Sequence, residues 1–191
     1  MPLPKENEVL SYGMYKTWPD DERWEIIEGV PYDMSPAPSR FHQDIFRELF
    51  NQIVNRLSNK SCIVYSAPFD VRLPESGEAD DDITTVVQPD ILVVCDNEKL
   101  DDKGCKGAPD FIIEILSPAT SSKDMKEKFF LYEKHEVKEY WIVEPLDKFI
   151  LVYSLQEDAK YGRAVIYTKG DKIESGVLKD LIVDLDLVFT D

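Results

Sequence analysis

The apolar positions of the chain fall into short blocks separated by proline, glycine and acidic residues. The spacing inside each block predicts its element. Residues 24–34, WEIIEGVPYDM, read as two strand segments around a turn at Glu28-Gly29, after which Pro36 and Pro38 break the chain. Ile45, Leu49, Ile53 and Leu57 recur at a helical period and predict a helix over 40–57, with Ser39 as its N-cap. Residues 62–73 and 86–95 read as two strands, the second with Pro89 near its start. Residues 109–116 form a third, so continuously apolar that it belongs at the centre of a sheet. A helix is predicted over 122–135, then strands at 139–145, 148–155, 163–169 and 181–189. The strand–helix–strand unit over 109–145 requires a parallel pair, and the hairpins require antiparallel ones. The class is therefore α/β with a mixed sheet. Residues 1–22 read as an N-terminal arm, irregular apart from one short helix, and no internal repeat is present.

Composition adds bounds to this pattern. The 191 residues fit a single domain, and 43% hydrophobic with 11% aromatic residues is enough to fill one core. No apolar run approaches the roughly 18 residues of a membrane-spanning helix. The N-terminus shows no basic segment followed by an apolar one, so neither a signal peptide nor a membrane span is expected. Cys62, Cys95 and Cys105 are odd in number and lack CxxC spacing. A disulfide framework or zinc site is not expected from them. Cys62 and Cys95 lie in apolar runs and are expected as buried thiols, which suits a reducing cytoplasm.

Charge complicates the picture. Lys and Arg number 22 against 38 Asp and Glu, a formal net charge of −16. Proteins that grip duplex nucleic acid carry a basic footprint. Here any nucleic-acid surface must be small and local, or metal ions must offset the acidic groups, or nucleic acid is not the partner. The most acidic run, ESGEADDDI at 75–83, lacks the glycine and glutamate positions of a calcium loop and reads as a solvated hairpin loop.

Three residues place charge where the pattern predicts burial. Asp90 follows Gln88-Pro89 at the entry of the apolar run Ile91-Leu92-Val93-Val94. Glu114 stands in the middle of Phe111-Ile112-Ile113-Glu114-Ile115-Leu116, and a glutamate is rarely buried unless paired or metal-bound. Lys128 falls between Met125 and Tyr132 on the helical stripe that also carries Phe129. A strand-edge carboxylate and a snorkelling lysine are the plain alternatives. Proximity is expected because Asp90 and Glu114 lie on consecutive strands and Lys128 lies on the helix that follows. Two carboxylates suit a hard divalent cation, Mg²⁺ or Mn²⁺, which takes one or two carboxylates plus substrate phosphate. Lys128 would then orient water or stabilise transition-state charge.

Asp90, Glu114 in E-I-L-S-P-A-T, Lys128 in K-F-F-L-Y, and Val137 to Pro145 in V-K-E-Y-W-I-V-E-P together resemble the Uma-type endonucleases of the PD-(D/E)XK superfamily. Trp24 to Gly29, Met34-Ser35-Pro36 and His42-Gln43 extend the resemblance, which covers roughly residues 20–155. It implies a restriction endonuclease-like fold, with a mixed central β-sheet flanked by helices, and Mg²⁺-dependent phosphodiester hydrolysis. It implies further site residues too. His42 would contact metal, water or phosphate, the alternative being a helix-cap or exposed histidine. Glu25 would hydrogen-bond within the site or pair with a base. The lysine expected two residues after the glutamate is here Leu116, and the resemblance moves its role to Lys128.

The function expected is DNA endonuclease activity, with Asp90 and Glu114 as metal ligands. The alternative is a non-catalytic binding or assembly module that keeps the nuclease fold, and a hydrolase of small phosphorylated molecules is a third reading. A homodimer is expected, because the strands at 148–155 and 163–169 extend the sheet and restriction-like nucleases commonly pair their sites. His135 is expected to be exposed at a helix end. Gly104 and Gly107 read as turn residues.

Overall fold

The computed structural model describes residues 9–19, 23–34, 37–58, 61–117 and 125–190. A short helix α1 (Tyr12–Tyr15) precedes the hairpin β1 (Trp24–Ile27) and β2 (Val30–Asp33). Its turn places Glu28 at φ 50° and Gly29 at φ 78°, the left-handed pair that matches strand twist. In the described part of the N-terminal segment, Leu10 and Tyr12 are buried, and the Tyr12 N–H donates to the Ile83 carbonyl.

Helix α2 (Arg40–Leu57) starts at Ser39, whose hydroxyl accepts the His42 N–H at 3.2 Å. Ile45, Leu49, Ile53 and Leu57 are its buried stripe, as their spacing predicts. Then follow β3 (Ile63–Ser66), β4 (Val71–Arg72), β5 (Val86–Val87), β6 (Ile91–Val94), β7 (Leu100–Asp101), β8 (Gly104–Lys106) and β9 (Phe111–Ile115). The chain continues through α3 (Glu127–Lys134), β10 (Glu139–Glu144), β11 (Phe149–Ser154), β12 (Val165–Thr168), β13 (Lys172–Glu174), β14 (Ile182–Asp184) and α4 (Leu185–Val188).

The α/β class holds, but the strands form two six-stranded mixed sheets and a small pair, not one sheet. One sheet runs β2-β1-β5-β4-β8-β7, the other β12-β11-β10-β9-β6-β3, and β13 pairs with β14. The reason is legible at two prolines. Residues 62–73 and 86–95, each expected as one strand, are each split: β3 and β6 belong to the second sheet, β4 and β5 to the first. The breaks fall at Pro68 and Pro89, which have no N–H to give to a ladder. Both segments therefore leave one sheet and enter the other.

In the second sheet β9 and β10 are parallel, with α3 between them, and β6 runs antiparallel to β9. Strand β9 is buried on both faces. Phe111, Ile113 and Ile115 face one core with α2, while Ile112 and Leu116 face the other with Leu131 and Tyr132 of α3. Glu114 shares the parity of Ile112 and Leu116, so alternation aims it toward α3.

Four further expectations are corrected. Residues 181–189 are not one strand; Asp184 accepts the Asp186 N–H, and the buried pair Leu185 and Val188 closes a helical turn. The acidic run is not solvated throughout: Asp80 meets Arg72 at 2.9 Å and Lys106 at 3.3 Å, and Asp81 pairs with Lys16. His135 is not exposed: its side chain is 11% accessible, 3.8 Å from Glu75, and burial lowers its pKa. Helix α3 accounts for 127–134 of the predicted 122–135, and residues 122–124 lie outside the described residues. Gly104 borders the turn at residues 102–103 as the first residue of β8, and an added Cβ there would collide with the Asp70 carbonyl oxygen.

Cys62 and Cys95 are not thiols but a disulfide, and only Cys105 is free and buried. The β3–β6 register explains this. Ile63 faces Val94, so the next step along the antiparallel ladder brings Cys62 to Cys95 across 33 residues of sequence. No helix among the described residues is long and apolar enough to cross a membrane. Denatured but unreduced protein should therefore react with one equivalent of a thiol reagent, and reduced protein with three. Replacing both Cys62 and Cys95 by serine should cost about 2–4 kcal/mol of stability in urea, through lost loop closure, with the fold kept. Three reactive thiols without reductant would refute the pairing.

Candidate active site

The sheets approach each other at Gln88-Pro89-Asp90, where the chain passes from β5 to β6. Ile91 faces Ile113 across the β6–β9 ladder, so one step further brings Asp90 level with Glu114. The Ile115 N–H donates to Asp90 Oδ2 at 2.8 Å, and the Asp90 carbonyl accepts the Ala67 N–H at 3.3 Å. This strand-end carboxylate is about one quarter accessible. Thus Asp90 can meet a ligand, whereas Glu114 is 3% exposed.

Lys128 lies in the first turn of α3 and is 1% exposed. Its ammonium stands 2.8 Å from Glu114 Oε1 and 2.8 Å from Glu25 Oε1. Glu25 is fully buried on β1. One cation therefore joins a carboxylate from each sheet. Tyr132, one helical turn on, donates its hydroxyl to Glu114 Oε1 at 2.7 Å. Burial first, and then the Glu114 charge, hold that phenol well above its ordinary pKa, so it stays a donor. The Gln88 N–H donates to Glu25 Oε1 at 2.9 Å.

The helical stripe was only partly as expected. Lys128, Leu131 and Tyr132 make the buried face, while Met125 is 49% exposed and Phe129 is half-buried. Attraction of Lys128 to the two carboxylates rotates the stripe away from Met125. His42 sits in the first turn of α2, buried rather than exposed, with Nε2 3.3 Å from Asp90 Oδ2. Its Nδ1 is buried without a hydrogen-bond partner among the described residues.

The five sequence-derived residues thus form two neighbouring groups, His42 with Asp90 and Lys128 with Glu25 and Glu114, brought side by side by the β6–β9 register. Sequence reasoning missed the role of Tyr132 toward Glu114, although the spacing of four from Lys128 placed both on one face. Gln88 was seen only as part of the strand entry. Its side chain turns the other way, donating to Asp70 Oδ1 at 2.9 Å and the Tyr15 hydroxyl at 3.2 Å. Other buried acids are structural. Asp110 accepts from the Cys95 N–H and from Lys138; burial raises its pKa, but these two donors outweigh burial and lower it.

Among the described residues no group of three or more His, Cys, Asp and Glu side chains forms a metal cage. A hard divalent cation does not need one, since it binds through one or two carboxylates and keeps waters. The oxygen donors of Asp90 and Glu114, level on neighbouring strands, fit that chemistry.

A family model described as "Putative restriction endonuclease", Uma2, matches residues 13–186. An uncharacterized protein of Synechocystis sp. is 24% identical over 176 residues, covering 91% of this chain and 86% of that protein. The crystal structure described as a putative nuclease belonging to DUF820, from Anabaena variabilis, superposes with a TM-score of 0.74 at 18% identity, over 94% of this chain and 97% of that one. The likeness extends over nearly the whole of both chains. With 174 of 191 residues inside the family model, the chain belongs to the Uma2 family, described as putative restriction endonucleases.

Proposed function

We propose that this chain is a Mg²⁺- or Mn²⁺-dependent nuclease that hydrolyses DNA phosphodiester bonds at Asp90 and Glu114, with Lys128 as the catalytic cation. The observation that supports this most is the buried ammonium of Lys128, 2.8 Å from Glu114, on an element next to the accessible Asp90. A buried salt bridge is weak evidence for a purely stabilising role, because desolvation offsets most of the attraction.

Asp90 and Glu114 would hold the divalent cation, which supplies Lewis acidity and makes water a nucleophile near neutral pH. Water adds to phosphorus, the bond from phosphorus to one sugar oxygen breaks, and that oxygen leaves with a proton. Lys128 would donate to the charge that develops on the phosphate. Glu25, fixed by the Gln88 N–H, and Tyr132 are positioning residues: they set the ammonium and Glu114 in place. His42 would orient Asp90 from the start of α2. One domain over 1–191 and a homodimer complete the reading. A cytoplasmic setting, inferred from the cysteine count, loses that support with the Cys62–Cys95 bond.

The second reading, a non-catalytic module with the nuclease fold, is favoured by the net charge of −16. Cleavage of plasmid, single-stranded DNA and RNA separates the two. Wild type should cut with Mg²⁺ or Mn²⁺ and not in chelator, while Glu114→Ala and Asp90→Asn should be inactive. Calorimetry should show Mg²⁺ or Mn²⁺ binding weakened by Asp90→Asn. Absence of cleavage on every substrate would favour the module.

Lys128→Met should slow turnover by roughly a hundredfold or more, as does loss of one transition-state donor. It also strands two buried carboxylates, so unfolding in urea should show a loss of about 3–5 kcal/mol. Adding Glu25→Gln to Lys128→Met should recover part of that stability and none of the activity. Activity that returns with stability would make Lys128 a structural residue. Sedimentation at micromolar concentration should show a dimer, and a monomer there would remove that part of the reading.

A further inference from the structure

Beside the site, on the first sheet's side of Gln88, lies a cavity of about 520 Å³. That is within the range of small-ligand sites. Four aromatic residues line it: Tyr12, Tyr15, Trp18 and Phe69. Tyr15 and Trp18 meet edge to face at 5.5 Å. Polar groups line the same space. Asp70 Oδ1 accepts from Tyr15 at 3.0 Å and from Gln88 at 2.9 Å, and Gln88 Oε1 accepts from Arg23 at 3.4 Å. Arg23 Nε is buried there without a hydrogen-bond partner among the described residues. Asp101, Asp102, Lys16 and Lys103 complete the polar part of the lining. Aromatic walls beside carboxyls, an amide and an unsatisfied guanidinium N–H suit a planar ligand with hydrogen-bonding edges better than an aliphatic chain.

Gln88 connects this cavity to the proposed chemistry. Its side chain lines the cavity, its N–H holds Glu25, and Asp90 is two residues on. Along extended backbone that is on the order of 7 Å. Charge argues in the same direction. A chain at −16 has little basic surface for duplex DNA, whose affinity rests on phosphate neutralisation. Stacking of an unpaired base on aromatic side chains supplies affinity of a different kind and needs no basic groove. In a paired duplex the base faces are covered and cannot enter such a pocket without flipping.

We propose that the cavity of Tyr15, Trp18, Phe69, Asp70, Gln88 and Arg23 receives an unpaired nucleobase of the strand whose phosphate reaches Asp90, so that the substrate is single-stranded or locally unpaired. This rests on the nuclease reading above for the phosphate, but not for the base. The aromatic rings stack on the base, and Asp70 and Arg23 meet its donor and acceptor edges. Burial pushes the Asp70 carboxyl above its usual range, which keeps it compatible with a neutral ligand.

The test is anisotropy of a fluorescein-labelled 12-mer without divalent metal, as single strand and as duplex, followed by cleavage of both with Mn²⁺. The single strand should bind at least tenfold more tightly than the duplex. Trp18→Ala should weaken that binding roughly tenfold or more, as expected for one lost stacking partner. Asp70→Asn should weaken it less, and Leu146→Ala, at an exposed turn away from the cavity, should not. Circular dichroism confirms that each variant is folded, and Phe69→Ala serves as a second variant if Trp18→Ala is not. Equal binding of strand and duplex, or strand binding untouched by folded cavity variants, overturns the proposal even if cleavage occurs. Cavity-dependent strand binding without any cleavage supports it and overturns the nuclease reading instead. Competition by nucleoside monophosphates as effective as by the unlabelled 12-mer overturns the assignment to a strand and gives the base site to a free nucleotide.

Discussion

The ammonium of Lys128 is the contact on which the arrangement of the site depends. It comes from a helix, and it meets Glu25 of one sheet and Glu114 of the other at the same 2.8 Å. Neither glutamate could remain buried as a carboxylate without such a partner. Lys128 in turn could not be 1% exposed without them. Burial of all three is therefore a joint property, and it fixes how α3 sits over the two sheets. The tyrosine one turn later and the Gln88 N–H saturate the same two oxygens. What remains outward of this buried cluster is Asp90, held by a backbone N–H and beside His42. A buried, mutually paired inner set thus lies behind the more accessible carboxylate of Asp90, and on the proposed reading Glu114 would join the two by sharing the cation with Asp90.

Proline sets up the space in which this happens. Pro68 and Pro89 end their ladders, and each break lets the chain cross from one sheet to the other. The second crossing is Gln88-Pro89-Asp90 itself. Its residues consequently face different surroundings: Gln88 serves Glu25 with its backbone and the aromatic cavity with its side chain, while Asp90 serves the strand end. A continuous strand over 86–95 would alternate its side chains across one sheet and could not distribute them in this way.

This crossing also marks where the sequence stops being legible. Local period gave α2 and its Ser39 cap, and an unbroken apolar run gave the central β9, because each depends on neighbours within one element. Charge within apolar runs singled out Asp90, Glu114 and Lys128 for the same reason. The second sheet was not legible, since an apolar strand reads alike in either sheet. The Cys62–Cys95 bond depends on strand register, which 33 residues of intervening sequence do not reveal. Helix α4 failed for a different reason: V-D-L-D-L alternates like a strand, and only packing of Leu185 and Val188 decides for a turn of helix. Glu25 and His42 entered through family resemblance, and neither stands out by periodicity alone.

The acidity of the chain constrains how any of this could serve a polyanionic substrate. Ion pairs such as Arg72 with Asp80 and Asp101, or Lys138 with Asp110, hold acids in place without changing the total of −16. Such pairs engage basic groups as well, and so reduce the cationic surface left to steer DNA from a distance. At physiological salt, charges beyond roughly 8 Å of the site are largely screened. Repulsion from the remote surface therefore slows encounter more than it weakens a formed complex. On the proposed reading the binding energy would come from terms of short range: a cation between Asp90, Glu114 and phosphate, the donors around it, and contact with the base. If the chain is the nuclease proposed, its acidity would itself confer selectivity, because a duplex lying along the surface would gain little and a nucleotide drawn into the cleft would gain more.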